Sequence, residues 1–145
     1  MGQLFKGGCH CGNVQVTFAS ELSPEEVTVR ACGCSFCTRH GARTVTDRNG
    51  QVQILVRARS ELGRYQFALK TAEFFVCKTC GVYLAAVLTT EEGRSYATVN
   101  INALDARQRF TQPPVEVNYE GEDAGKRIAR RKENWTPAVI QIANS

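Results

Sequence analysis

Hydrophobic and polar positions alternate along much of the chain. Val14, Val16 and Phe18 are separated by Gln15 and Thr17, and Val52, Ile54 and Val56 repeat the pattern. A period of two marks a strand with one buried face, because successive side chains point to opposite sides of a sheet. Further strands are predicted at 65–69, 72–77, 82–88, 96–101 and 115–119. Asn49-Gly50 lies between "TVT" and "VQILV" and reads as a hairpin turn, since glycine tolerates positive φ. Glu91-Glu92-Gly93 divides 82–101 into a second hairpin. Only "DAGKRIARRKENW" carries a helical stripe, through Ile128, Ala129 and Trp135, and it is short. The pattern predicts a mainly β fold with at most a short helix near the C-terminus. The sequence has no internal repeat, and Pro113-Pro114 breaks the chain before its tail.

At 145 residues the chain suits one domain, 1–145, and is short for two. Hydrophobic residues at 43% and charged residues at 22% exclude wholesale disorder. The longest apolar run, Val82 to Leu88, falls far short of the ~20 residues that a membrane-spanning helix needs. "MGQLFKGG" holds no hydrophobic signal core, and Lys6 stands where a myristoylation motif takes Ser or Thr. A soluble cytoplasmic protein with no membrane partner is expected. The formal net charge of +4 suggests a polyanion partner, yet it counts all seven cysteines as neutral. Seven thiolates on two divalent ions would remove three of those four charges. The basic run Lys126, Arg127, Arg130, Arg131 and Lys132 then reads as a solvated face, and no nucleic-acid partner is expected.

The cysteines carry the chemistry. They form three groups, Cys9 and Cys11, then Cys32, Cys34 and Cys37, then Cys77 and Cys80, with none in the last 65 residues. On an extended chain Cys9 and Cys11 point the same way and can grip one ion while His10 faces away. "CKTCG" at 77–81 is a metal-binding turn in which Gly81 is free to take the backbone conformation needed. A closed zinc site takes four thiolates, whereas a catalytic zinc characteristically has three protein ligands and one exchangeable position. Seven cysteines divide into four and three. Other readings are disulfides, which need an oxidising compartment and leave one cysteine over, an iron–sulfur cluster at 32–37, and one structural zinc beside three buried thiols. Two zinc ions per chain account best for the count.

"GGCHCGNVQV", followed by C-x-C-x-x-C and then "FFVCKTCGVYL", resembles the glutathione-dependent formaldehyde-activating enzyme family from about residue 7 to 101. Residues 102–145 lie beyond the resemblance. It implies a β-tent fold of small antiparallel sheets held by a closed zinc on Cys9, Cys11, Cys77 and Cys80. It also implies a second, catalytic zinc on Cys32, Cys34 and Cys37. The implied activity is that of a carbon–sulfur lyase that joins glutathione to formaldehyde as S-(hydroxymethyl)glutathione, or handles another thiol adduct of a small aldehyde. The expected partners are therefore a small thiol such as glutathione and a small aldehyde. Gly33 departs from the family's common C-H-C at this point.

A three-thiolate zinc could accept the substrate sulfur as its fourth ligand and hold it deprotonated. That adds negative charge, so Arg39 and Arg43, just behind the motif, are candidates to meet a substrate carboxylate. His40 is a candidate proton shuttle. Phe36 reads as a core aromatic, and Trp135 with the tail could cover a pocket mouth. The alternative function, of a different class, is a non-catalytic zinc-binding module that uses the same fold to bind a protein or peptide, as in the centromere protein V-like domains.

Overall fold

The computed structural model describes residues 2–119 and 121–143. Its strands are β1 (Gln3–Gly8), β2 (Val14–Ser20), β3 (Val29–Cys32), β4 (Thr44–Val45), β5 (Gln51–Val56), β6 (Leu62–Tyr65), β7 (Glu73–Cys77), β8 (Tyr83–Thr89), β9 (Ser95–Asn100), β10 (Val115–Val117) and β11 (Thr136–Ile142). Two α-helices accompany them, α1 (Ser35–His40) and α2 (Ala124–Asn134). The fold is mainly β, as the alternation predicts. On β2, Val14, Val16 and Phe18 are buried while Gln15 is exposed, and β5 buries Val52, Ile54 and Val56. Both faces of β8 are covered, and its residues Tyr83 to Leu88 are all buried.

The strands connect in the order β1-β2-β5-β11-β9-β4-β3-β10, with β6-β7-β8 joining at β9. β9 is the junction. One of its edges pairs with β8, while the other is shared, Ser95 to Ala97 facing β11 and Val99 with Asn100 facing β4. Most pairings are antiparallel, but β11 runs parallel to β5 and β10 parallel to β3. The C-terminal strand thus fills the place between β5 and β9, so the tail that the sequence left unassigned completes the sheet.

The expected hairpin at Asn49-Gly50 does not form. β4 pairs with β3 and β9, and β5 pairs with β2 and β11, so residues 46–50 cross between strands that are not neighbours. Gly50 still closes a turn, its N–H donating to the Asp47 carbonyl at 2.9 Å. What requires glycine there is close packing rather than positive φ, because an added Cβ would fall inside contact distance of the Ala19 carbonyl on β2. The second predicted hairpin is present, with β8 and β9 paired around a turn in which Gly93 has φ +86°.

The main core gathers Phe18, Ile54, Leu84, Ile101, Leu104 and Phe110. A smaller cluster, Ala72, Ala86, Leu88 and Trp135 with Ile128 against it, seats α2 on β8. The side chain of Asp123 caps α2, accepting the Lys126 N–H at 2.8 Å. Gly50→Ala should cost about 1–3 kcal/mol of unfolding free energy, the usual penalty for overpacking a tight site. Gly33→Ala, where the added Cβ meets only the Val117 carbonyl at 3.5 Å, should cost about 0.5 kcal/mol or less. Parallel urea melts measure both, and equal midpoints would remove the packing explanation for Gly50.

Candidate metal centres

Cys9 follows β1 in a turn rather than on an extended strand, so the two sulfurs converge through that turn and not through the period of two. The Gly12 N–H closes that turn on the Cys9 carbonyl at 3.2 Å, and Gly12 takes φ +86°. Asn13 fixes the far side, its side chain accepting the Ala58 N–H at 2.8 Å. Cys77 ends β7, and the Gly81 N–H returns to its carbonyl at 2.8 Å with Gly81 at φ +82°, as the turn reading of "CKTCG" requires. The four sulfurs of Cys9, Cys11, Cys77 and Cys80 lie within 4.8 Å of one another. The Cys9 and Cys11 sulfurs are 3.7 Å apart and those of Cys11 and Cys77 3.5 Å. Zinc–sulfur bonds of about 2.3 Å at tetrahedral angles place sulfurs about 3.8 Å apart, so this donor set fits one zinc ion. Burial opposes ionisation of Cys80, but the N–H groups of Val82 and Cys11 aimed at its sulfur bring the thiol down to about 6.

The second cluster is built on α1. Cys32 ends β3, Cys34 is the N-cap residue of α1, and Cys37 lies buried in its first turn. The Cys37 N–H donates to the Cys34 sulfur at 3.4 Å, and the Cys34 N–H to the Cys32 sulfur at 3.5 Å. Gly41 ends the helix in a left-handed cap, φ +56°, its N–H donating to the Thr38 carbonyl at 3.2 Å and the Ala42 N–H to the Cys37 carbonyl at 3.0 Å. The three sulfurs again lie within 4.8 Å of one another. A hydrogen bond from Cys37 lowers the Cys32 thiol to about 5, and the same bond pushes Cys37 up. Three sulfurs of this kind fit a metal ion that keeps one position for another ligand.

Only the second cluster opens onto the large cavity, whose volume is about 600 Å³ and whose lining includes Cys32, Cys34 and Cys37. The facing wall is α2, which presents Arg127, Arg130, Arg131 and Asn134, one helical stripe at i, i+3, i+4 and i+7, followed by Trp135. Arg130 holds Glu122 through two bonds, 2.8 and 3.0 Å, and Arg127 reaches it at 3.4 Å. Arg130 and Arg127 thereby keep the Glu122 carboxyl below the usual carboxylate range. Arg131 donates to the Thr71 hydroxyl at 2.7 Å and lies over the Trp135 ring at 4.7 Å. Burial, followed by repulsion from Arg130 and Arg127, lowers its pKa to about 10, so it stays charged at neutral pH.

Tyr83 lines the same cavity and packs with Cys37. Its hydroxyl is buried with no hydrogen-bond partner among the described residues, and burial followed by the nearby cysteines raises its pKa well above the ordinary tyrosine value. The sequence reading missed this residue. A tyrosine inside the apolar run 82–88 is a readable signal, because a buried phenol ordinarily has a partner.

The cations proposed from the sequence lie elsewhere. Arg39 is exposed, and Arg43 donates to the carbonyls of Phe110 at 2.9 Å and Arg107 at 3.5 Å. Neither lines the cavity, and neither does His40, whose ring rests against Phe36 at 4.6 Å and Tyr83 at 5.4 Å. Phe36 joins a cluster with Tyr65, Phe67 and Phe74, in keeping with a packing role. The basic run is not simply a solvated face. Lys126 and Lys132 are exposed, while Arg127, Arg130 and Arg131 turn toward the cavity. An added Cβ at Gly33 would meet only the Val117 carbonyl at 3.5 Å, an ordinary contact, so close packing at that atom does not require glycine.

The sequence profile of the glutathione-dependent formaldehyde-activating enzyme family matches residues 4–121. The crystal structure of a Rhodobacter sphaeroides protein, a structural-genomics target, is similar with a TM-score of 0.55 at 28% identity, over 77% of this chain and 99% of that one. No curated protein matches. Helix α2 begins after the matched region, so the arginine wall of the cavity lies outside it.

Protein purified without chelator should hold two zinc ions per chain, one for each convergent cluster, with no thiol free to react. One ion with three titrating thiols, and no uptake on adding zinc, would contradict the second centre.

Proposed function

The chain belongs to the glutathione-dependent formaldehyde-activating enzyme family, and from that membership and its cavity we propose a zinc-dependent carbon–sulfur lyase-like enzyme that joins a small thiol to a small aldehyde. Glutathione and formaldehyde, giving S-(hydroxymethyl)glutathione, are the pair that the family supports. One observation carries the proposal. The three-sulfur cluster faces a cavity of about 600 Å³, in the size range of small-molecule sites, while no residue of the four-sulfur cluster lines it.

The four-cysteine set is assigned a structural role, since Cys11 and Cys77 are 66 residues apart and a shared ion would close that loop. Cys32, Cys34 and Cys37 are assigned the catalytic ion. When bound there, zinc supplies a Lewis-acid position at which a thiol is held deprotonated near neutral pH. The rest falls to the chain. In the forward direction the thiol sulfur forms a bond to the aldehyde carbon, the carbonyl π pair moves to oxygen, and that oxygen takes up a proton equal to the one the thiol released. Tyr83 is assigned to donate a hydrogen bond to this oxygen, which supplies the partner its hydroxyl lacks. Phe67, Leu69 and Trp135 wall the cavity and exclude water from the reacting atoms. His40, outside the lining, is given no proton-transfer step.

Two variants separate the centres. Cys80→Ala should lower the melting temperature of the whole domain, whereas Cys37→Ala should keep the fold and lose thiol binding and activity, because Cys32 and Cys34 lie on the same short segment. Thermal melts beside NMR exchange between formaldehyde, glutathione and their adduct measure both properties. A folded, fully active Cys37→Ala would leave the second cluster without a catalytic role.

Tyr83→Phe should slow adduct formation about 10–100-fold with the melting temperature nearly kept, since it removes one donor and no packing volume. An unchanged rate would dismiss Tyr83 from the reaction.

A further inference from the structure

We propose that Arg30 and Arg131 form a carboxylate-binding subsite, which makes the enzyme selective for thiols that carry a negative charge apart from the sulfur. The proposal rests on the reading that the thiol sits at Cys32, Cys34 and Cys37, and it concerns the part of the ligand that reading leaves unassigned.

The period of two on β3 puts Arg30 on the same face as Cys32, and both line the cavity. Arg131 approaches from α2 on the facing wall. Both are bonded to neutral hydroxyls, Arg30 to Thr46 at 2.8 Å and Arg131 to Thr71 at 2.7 Å. Among the described residues no carboxylate lies within ion-pair distance of either. The one acid among the described lining residues, Glu122, is held by Arg127 and Arg130 instead. Thr46 and Thr71 therefore orient two guanidiniums without neutralising them. Guanidinium forks of this kind match a carboxylate in shape as well as charge.

Formal charge points the same way. Among the described lining residues, four guanidiniums against one carboxylate leave three units of positive charge before the cysteines are counted. Three thiolates on one divalent ion remove one unit, and a bound substrate thiolate removes another. The unit that remains calls for one more negative charge on the ligand. Glutathione fits this class, since its two carboxylates and one ammonium leave one negative charge outside the thiol. Arg30 lies within the residues matched by the family profile and Arg131 on α2 beyond them, so the C-terminal segment supplies one half of the subsite.

The competing role for these arginines is to balance the thiolates alone, in which case every thiol would feel their loss equally. Calorimetry on the zinc-loaded protein with three ligands distinguishes the two. Glutathione diethyl ester keeps the thiol and masks the carboxylates, while S-methylglutathione keeps the carboxylates and masks the thiol. Glutathione should bind at least about tenfold more tightly than the diethyl ester, a difference of the size expected for a charge-assisted hydrogen bond. Arg30→Gln and Arg131→Gln should each bring glutathione toward the ester's affinity and leave the ester unchanged, with Arg131→Lys intermediate. The two arginines lie on different elements, so Arg30→Gln carries the test if loss of the Thr71 contact loosens α2. Equal wild-type affinity for glutathione and its ester would overturn the subsite, as would equal weakening of both by the Gln variants. Failure of all three ligands to bind would overturn it too. If S-methylglutathione bound as tightly as glutathione while the ester bound weakly, the subsite would stand and sulfur coordination would fall.

Discussion

Four sulfurs held within 4.8 Å of one another tie the turn after β1 to the end of β7. Thiolates at such spacing repel unless a cation or shared protons lie among them. The segments they join are far apart in sequence, so an ion shared among them, as proposed above, would act against chain entropy. β1 leads into β2 and β5, while β7 leads into β6 and β8. The four sulfurs therefore meet where one branch of the sheet lies against the other, and β9 joins the branches in the middle.

The second cluster has a different logic. Its three sulfurs come from one strand end and one helical turn, so they converge through local geometry and add little long-range constraint. Freed from holding the fold together, they can face open space. That space is lined from the consecutive paired strands β7, β8, β9, β4 and β3 and by residues of α2. Trp135 and Ile128 fasten α2 to β8, which lets the arginine stripe of the same helix look inward. One short amphipathic helix thus completes both the core and the cavity.

What could be read in the sequence was whatever depends on neighbours along the chain. The alternation of β2 and β5, the hairpin of β8 and β9, the span of α2 and the grouping of the cysteines all have local signals. Strand partners do not. "TVT" and "VQILV" surround a good turn, yet each strand finds stronger burial elsewhere, β5 between β2 and β11 and β4 between β3 and β9. β11 alternates only in part and carries Pro137, so its place in the middle of the sheet was hidden. The basic run reads as a solvated face because charge alone says nothing of direction. Its spacing at 127, 130, 131 and 134 is a helical stripe, and that periodicity was the available clue. Arg39 and Arg43 are near the cysteines in sequence, whereas the cations at the cavity come from β3 and α2.

The central claim is that one metal position is closed and the other is open to a thiol. Cadmium-113 NMR of protein loaded with that metal tests it directly, because the cadmium shift follows the number of sulfur ligands. The structure calls for two resonances, one from the four-sulfur set and one from the three-sulfur set. Adding glutathione should move the second toward the first and leave the first in place. Two resonances that both ignore glutathione, or a glutathione-induced shift of the four-sulfur signal, would contradict the account.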